Sequence, residues 1–227
     1  MQQSYQALRV IAEAQTIRVV LSADPDELML RELQILCDSL HKESSSSIKA
    51  LVLDFGPTAA QQVEHDSQIL SSQISDIVAN SCAALRAINQ PVMAVARATL
   101  SHSASQLLNA ADLTLVAEQA CLTISGEEQN ILTGSQALRL GLITWTASVH
   151  DINKQMERVL DLLRSKSAVA LRQTKASVRL ANADQRTRQE ALEQVNQLYL
   201  TQLMQTHDAQ EGLKAFLEKR KADWKNI

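Results

Sequence analysis

Ser101, His102, Ser103 and Ser105 fall together in the stretch 89–112. An imidazole among hydroxyls can serve nucleophilic chemistry, with the histidine as base. A triad also needs an acid to orient the ring, and none is identifiable beside His102. His102 alone could act as an acid or base, but without a carboxylate a structural or exposed histidine is the preferred reading. The backbone offers a second chemistry. The stretch reads as a buried strand, a sharp turn and a short helix that leads into a strand over 113–116. A strand ending at a helix N-terminus aims free N–H groups at one point, which suits an anion or a developing oxyanion. Close approach of a ligand to such a turn normally calls for glycine, and this turn has none. Ser103 and Gln106 have the spacing of a capping box instead, in which the helix start partners itself. Self-capping is preferred to ligand capture.

The elements that position this turn are legible on either side of it. Residues 8–11 and 16–21 read as a strand hairpin. Asp24 can cap the helix that follows, with Pro25 in its first turn and Asp26 and Glu27 favouring its dipole. Leu30, Leu33, Leu36, Cys37 and Leu40 give that helix one apolar face. Residues 48–55 form a run typical of a parallel strand buried on both faces. The loop from Gly56 to Ala60 leaves its C-terminal end, where open α/β sheets bind ligands. A helix over 66–88 carries the stripe Leu70, Ile74, Ile77, Val78, Cys82, Leu85 and Ile88. Beyond the central stretch come a strand at 121–124, a polar loop at 126–134, one helical turn at 135–140 closed by Gly141, and a strand at 142–145. From 151 onward the pattern is helical, with helices near 151–164, 167–182, 186–205 and 208–220. Strands alternating with helices, then a helical tail, make this an α/β protein with an α-helical extension.

Composition sets the outer limits. The 227 residues can bury a sizeable core without a metal or disulfide staple. A net charge of −3 offers no electrostatic case for nucleic acid or a membrane surface. No apolar run is long enough to span a bilayer, and residues 1–5 do not resemble a leader, so the expected location is cytoplasmic. Cys37, Cys82 and Cys121 are expected to be buried thiols, with no metal site. The five glycines are about 2% of the chain, against a typical level of about 7%.

Several segments resemble the crotonase superfamily, of which enoyl-CoA hydratase is the best-known member. Residues 47–53 resemble its first core strand. Gln90-Pro91-Val92-Met93-Ala94-Val95, followed by 107–112, resembles its Lys-Pro-Val-Ile-Ala-Ala-Val…Leu-Ala-Cys-Asp segment. Residues 137–143 are similar to its Glu-Ala…Gly-Leu-Val signature, and 206–221 to its closing Asp-Ala-Arg-Glu-Gly…Phe-Leu-Glu-Lys-Arg-Lys. The resemblance implies a crotonase-like ββα spiral core over 1–150, its sheets packed face to face, and a C-terminal α-helical oligomerisation region over 151–227. It implies homo-oligomers, trimers or dimers of trimers. It also implies an acyl-CoA thioester as substrate or ligand, with no resident cofactor. Two backbone amides would hold the thioester oxygen as an enolate forms, and two glutamates would act as acid and base.

Against that pattern the chain departs at each functional position. One oxyanion amide would come from the family's Gly-Gly-Gly turn, matched here by His102, Ser103 and Ala104. Ser103 or Ala104 could still donate, but with side chains that crowd a thioester. The other would come from the loop after the first core strand, where Ala59 and Ala60 stand in Thr58-Ala59-Ala60-Gln61-Gln62 without the family's glycine and acid. Glu127 and Glu128 are the only local carboxylates for acid–base work. They sit in a shortened region and read more simply as solvated loop charges. Asp24, Asp26 and Glu27 would repel CoA phosphates where the family carries basic residues. Lys219, Arg220 and Lys221 remain as a basic cluster, which also suits a helix end. The expectation is a divergent enoyl-CoA hydratase/isomerase-family protein with weak or absent hydratase activity. It would serve as a non-catalytic oligomeric subunit or as the partner of an active enzyme. The alternative is an active hydratase or isomerase using a backbone-amide oxyanion hole.

Overall fold

The computed structural model of the chain describes residues 5–42, 47–56, 69–123, 131–181 and 188–227. Strands β1 (Arg9–Glu13) and β2 (Thr16–Ser22) form the expected hairpin. Helix α1 (Glu27–Lys42) follows, then β3 (Ala50–Gly56) and α2 (Ile69–Ala87). The central stretch supplies β4 (Val92–Ala96) and α3 (His102–Asn109), and β5 (Leu113–Ala117) comes next. Strands β6 (Cys121–Thr123) and β7 (Ile131–Thr133), helix α4 (Gly134–Arg139) and β8 (Trp145–Ala147) complete the strand-bearing part. Helices α5 (Ile152–Arg164), α6 (Ala168–Ala181), α7 (Arg188–Leu198) and α8 (His207–Leu217) finish the chain, with a π-helical turn at Tyr199–Leu203 directly after α7.

Six strands pair in the order β1-β2-β3-β4-β5-β8. Only the β1–β2 pair is antiparallel. The central strands β3 and β4 are buried along almost their whole length, as unbroken apolar runs require. Strands β6 and β7 form a separate antiparallel pair. One continuous core joins the sheet to Leu30, Leu33 and Leu36 of α1, Val78 and Leu85 of α2, and Met156 and Leu160 of α5. This mixed α/β architecture with its C-terminal helices is the fold expected from the sequence.

Several local expectations are corrected. The cap of α1 is Asp26, whose Oδ1 accepts the Met29 amide at 2.8 Å. Asp24 takes no part, and its own amide donates to Ser22 Oγ at 3.1 Å. The polar loop at 126–134 contains strand β7 in its described part. The strand sought at 142–145 lies instead at Trp145–Ala147, because Leu142 is tied back to Ala137 by a 3.0 Å backbone bond that closes α4. Gly141 makes that closure with φ +71°, the left-handed conformation glycine adopts without penalty. Cys121 is half-buried, not buried like Cys37 and Cys82.

The C-terminal helices are fastened by polar ties of long sequence separation. Lys49 Nζ donates to the Arg164 carbonyl at 2.7 Å, and Arg164 Nη2 to Thr16 Oγ1 at 3.2 Å. Asp208, in the first turn of α8, is 2% exposed and fully occupied. Its carboxylate accepts the Ser167 hydroxyl and the amides of Lys225 and Asn226. Asn226 Oδ1 in turn accepts the Ala168 amide at 3.0 Å and so completes the start of α6.

Candidate functional site

The C-terminal ends of β2, β3 and β4 meet in a stitched rim. The Ala23 amide donates to the Gly56 carbonyl at 3.1 Å, and the Arg97 amide to the Phe55 carbonyl at 3.3 Å. The Ser101 amide reaches the Ala23 carbonyl at 2.9 Å, and the Leu100 amide the Cys121 carbonyl at 2.9 Å. These bonds fix the turn between β4 and α3 from both sides.

The start of α3 caps itself, as its hydroxyl-rich sequence suggests, but the cap is Ser101 and not Ser103. Ser101 has extended backbone (φ −64°, ψ 170°), and its Oγ accepts the Ala104 amide at 3.2 Å. Gln106 does not reach back to the cap; its Nε2 lies 2.8 Å from His102 Nε2. Of the two amides expected to face a ligand here, that of Ala104 is therefore taken by the helix's own cap. The Ser103 amide has no acceptor among the described residues. Ser103 and His102 are both half-buried, so their side chains stand at the helix mouth.

His102 bridges two elements. Its Nδ1 is 3.3 Å from Thr123 Oγ1, and its Nε2 contacts Gln106. The Thr123 amide donates to Ser105 Oγ at 3.0 Å, and the Ser105 hydroxyl donates to the Ser101 carbonyl at 2.9 Å. The imidazole and the two serines thus tie α3 to β6. Among the described residues His102 forms no ion pair. Among the described residues no acid stands beside it as a hydrolytic triad needs, and Ser101 and Ser105 are both committed to backbone.

The remaining candidates do not converge on this rim among the described residues. Ala59, Ala60, Glu127 and Glu128 lie outside those residues. In the basic cluster, Arg220 is spent on two carboxylates: Nη1 and Nη2 sit 2.6 and 3.0 Å from Glu211, and Nε 2.6 Å from Glu218. The Arg220 guanidinium, helped by the Asp223 amide, holds the Glu211 carboxyl down at about 2. Lys219 terminates α8 at φ +52°, and Lys219 and Lys221 are exposed.

One polar cluster near the rim has little local signal in the sequence. Asp54 is 3% exposed within β3 and is paired by Arg18 of β2 and Arg97 just beyond β4. Register places Asp54 beside Val20 and Val95. Strand alternation then sets Arg18 and Arg97 on the same sheet face. Arg97 Nη2 also contacts Met156 Sδ of α5 at 3.9 Å. The only hint in the sequence is a single carboxylate inside an otherwise apolar run. Among the described residues no group of histidine, cysteine or carboxylate side chains is arranged to hold a metal, and no helix is long and apolar enough to cross a membrane.

Comparison with known proteins follows the same direction. Residues 128–226 match the family model of enoyl-CoA hydratase/isomerase. The chain is 24% identical over 236 aligned residues to a putative enoyl-CoA hydratase/isomerase, YngF, of Bacillus subtilis, an alignment covering 88% of each. A shorter stretch of 51 residues is 55% identical to cyclohexa-1,5-dienecarbonyl-CoA hydratase of Thauera aromatica. It spans 22% of this chain and 20% of that protein. The fold superposes on the crystal structure of enoyl-CoA hydratase from Bacillus anthracis with a TM-score of 0.79 at 18% identity, over 98% of this chain and 100% of the other.

Proposed function

We propose that this chain is a divergent member of the crotonase superfamily, a non-catalytic oligomeric subunit in which hydration of enoyl-CoA thioesters is weak or absent. The observation that carries the reading is the start of α3. Oxyanion stabilisation needs preorganised donors aimed where charge develops. Here Ser101 Oγ takes the Ala104 amide, and His102 and Ser103 put side chains where a thioester would need close backbone approach. The tie of His102 to Thr123 and Gln106 supports a structural role for the imidazole. The occupied state of Arg220 leaves only Lys219 and Lys221 as free cations of the cluster proposed for CoA phosphates.

The reading includes a homo-oligomer, a trimer or a dimer of trimers, that works beside a catalytic partner protein in the cytoplasm. Support comes from the C-terminal helices, where Phe216, Leu217 and Leu213 of α8 are 81%, 79% and 55% exposed. Apolar side chains exposed together mark contact surfaces. An acyl-CoA thioester remains the ligand class to test. One observation favours the alternative of an active hydratase or isomerase: the Ser103 amide is uncommitted among the described residues and could donate to a thioester oxygen. The deciding experiment titrates crotonyl-CoA and free CoA into the purified protein by calorimetry and follows loss of the enoyl absorbance. Weak or no binding without turnover is expected. Tight binding accompanied by hydration overturns the proposal.

A further inference from the structure

At the other end of the sheet, where β4 and β5 begin, lies a cavity of about 260 Å³ that takes no part in the site above. Its walls are apolar: Pro91, Leu113, Leu163, Leu171 and Val178. Val178, 52% exposed, stands at its mouth, and Thr174 beside it is also exposed. Two ionisable groups line it, Lys175 and Asp112. Lys175 is 6% exposed, and its Nζ sits 2.6 Å from Asp112 Oδ2 and donates to the Gln90 carbonyl at 3.0 Å. An ammonium has three donors, so one N–H is left over. Asp112 Oδ2 also accepts the Val92 amide at 2.7 Å, while Oδ1 has no partner among the described residues. The side chain of Asp112 is 36% exposed. Close by, Gln90 is 4% exposed and its Oε1 lacks a hydrogen bond among the described residues. The neighbouring cation, Arg179, is directed at the Ile88 carbonyl.

From this geometry we propose that the cavity is a binding site for a small uncharged ligand with an apolar body and a primary-amide head, which accepts from Lys175 and donates to Asp112 Oδ1. The ion pair is neutral as a unit, so it presents one donor and one acceptor side by side. A carboxylate head gains from Lys175 and is repelled by Asp112, and an amine head meets the reverse. An amide satisfies both, and leaves the buried Lys175 with no N–H unpaired. The cavity lies just under the usual range for drug-sized ligands, which suits a body of roughly six to nine non-hydrogen atoms. The proposal is independent of the reading of α3.

Hexanamide, hexanoate and hexylamine are the probes, with binding followed by methyl shifts in NMR. Hexanamide is expected to bind saturably and to shift the methyls of Leu113, Leu171 and Val178. The two charged probes should bind at least roughly tenfold more weakly. Thr174→Trp fills the mouth from an exposed position without touching the ion pair, and should abolish hexanamide binding while circular dichroism and melting stay those of the parent. Equal binding of the three probes, tighter binding of hexanoate, or hexanamide binding unchanged in Thr174→Trp overturns the proposal. So does the absence of saturable binding. A change of sedimentation coefficient in Thr174→Trp also overturns it, because a second copy of the chain would then be the occupant.

Discussion

Arg97 grips Asp54 with two bonds across neighbouring strands, Nε to Oδ1 at 2.7 Å and Nη2 to Oδ2 at 3.2 Å, while Arg18 holds the same carboxylate from the other side. Removing the shared acid strands two guanidiniums that are only 18% and 24% exposed at their side chains. Asp54→Ala should therefore lose about 3–5 kcal/mol in urea unfolding. The exposed pair Arg31–Glu27 serves as control, and Arg31→Ala should stay within about 1 kcal/mol.

Glu32 fastens the segment before β1 to α1 by accepting the amides of Gln6, Ala7 and Leu8 at 2.6, 2.9 and 2.9 Å. Burial raises its carboxyl, the three amides lower it, and the net position is below the ordinary value. A carboxyl lowered on folding adds stability above its unfolded-state value, and that stability is lost as pH falls through the folded-state value. Glu32→Gln should cost about 1–3 kcal/mol at neutral pH. The gap should narrow in acid, where the parent carboxyl also becomes protonated. Melting curves across the acid range measure both effects.

Gly134 is required by space. A Cβ there would lie 2.4 Å from the Ala117 carbonyl oxygen, which belongs to backbone and cannot move aside. Gly134→Ala should destabilise by about 1–3 kcal/mol or more. At Gly212 the nearest atom is the Trp224 ring at 3.4 Å, so Gly212→Ala should be neutral or stabilising by up to about 1 kcal/mol. Paired thermal melts compare the two.

The three thiols should separate by reactivity. Burial pushes the Cys37 thiol up to about 12, with Asp38 adding to the rise and Lys175 opposing it, and burial raises Cys82 as well. Cys121 is half-exposed. A disulfide reagent on the native protein should modify one thiol per chain. Cys121→Ser should remove that reaction, with Cys37 and Cys82 reacting only in denaturant.

Ser103→Gly tests the mouth of α3. Its stability cost should stay within about 1 kcal/mol, and calorimetry should show tighter crotonyl-CoA binding, because an uncommitted amide loses its side-chain cover. Ser101→Ala should instead cost about 1 kcal/mol through loss of the cap.

What the sequence disclosed follows the range of the physics involved. Strands β3 and β4 were legible because burial on both faces leaves an unbroken apolar run. Helices α1 and α2 were legible because an apolar stripe repeats at helical spacing. The caps were harder. Asp24 and Asp26 both precede α1, Ser101 and Ser103 both open α3, and only backbone geometry decides which one folds back. Strand β7 was hidden because its three residues adjoin a polar segment and, among the described residues, pair only with β6. The cluster around Asp54 has partners 36 and 43 positions away, a separation at which no local pattern speaks.

The seating of Asn226 on α6 joins two distant parts of the chain. Ala168 receives its partner from a residue 58 positions later in the chain. The first turn of α6 draws on two sources, a local one in which the Ala170 amide donates to Ser167 Oγ, and a distant one in Asn226. Asn226 is therefore a latch on a helix that lies far before it in the chain, and removing its side chain takes away the acceptor of the Ala168 amide.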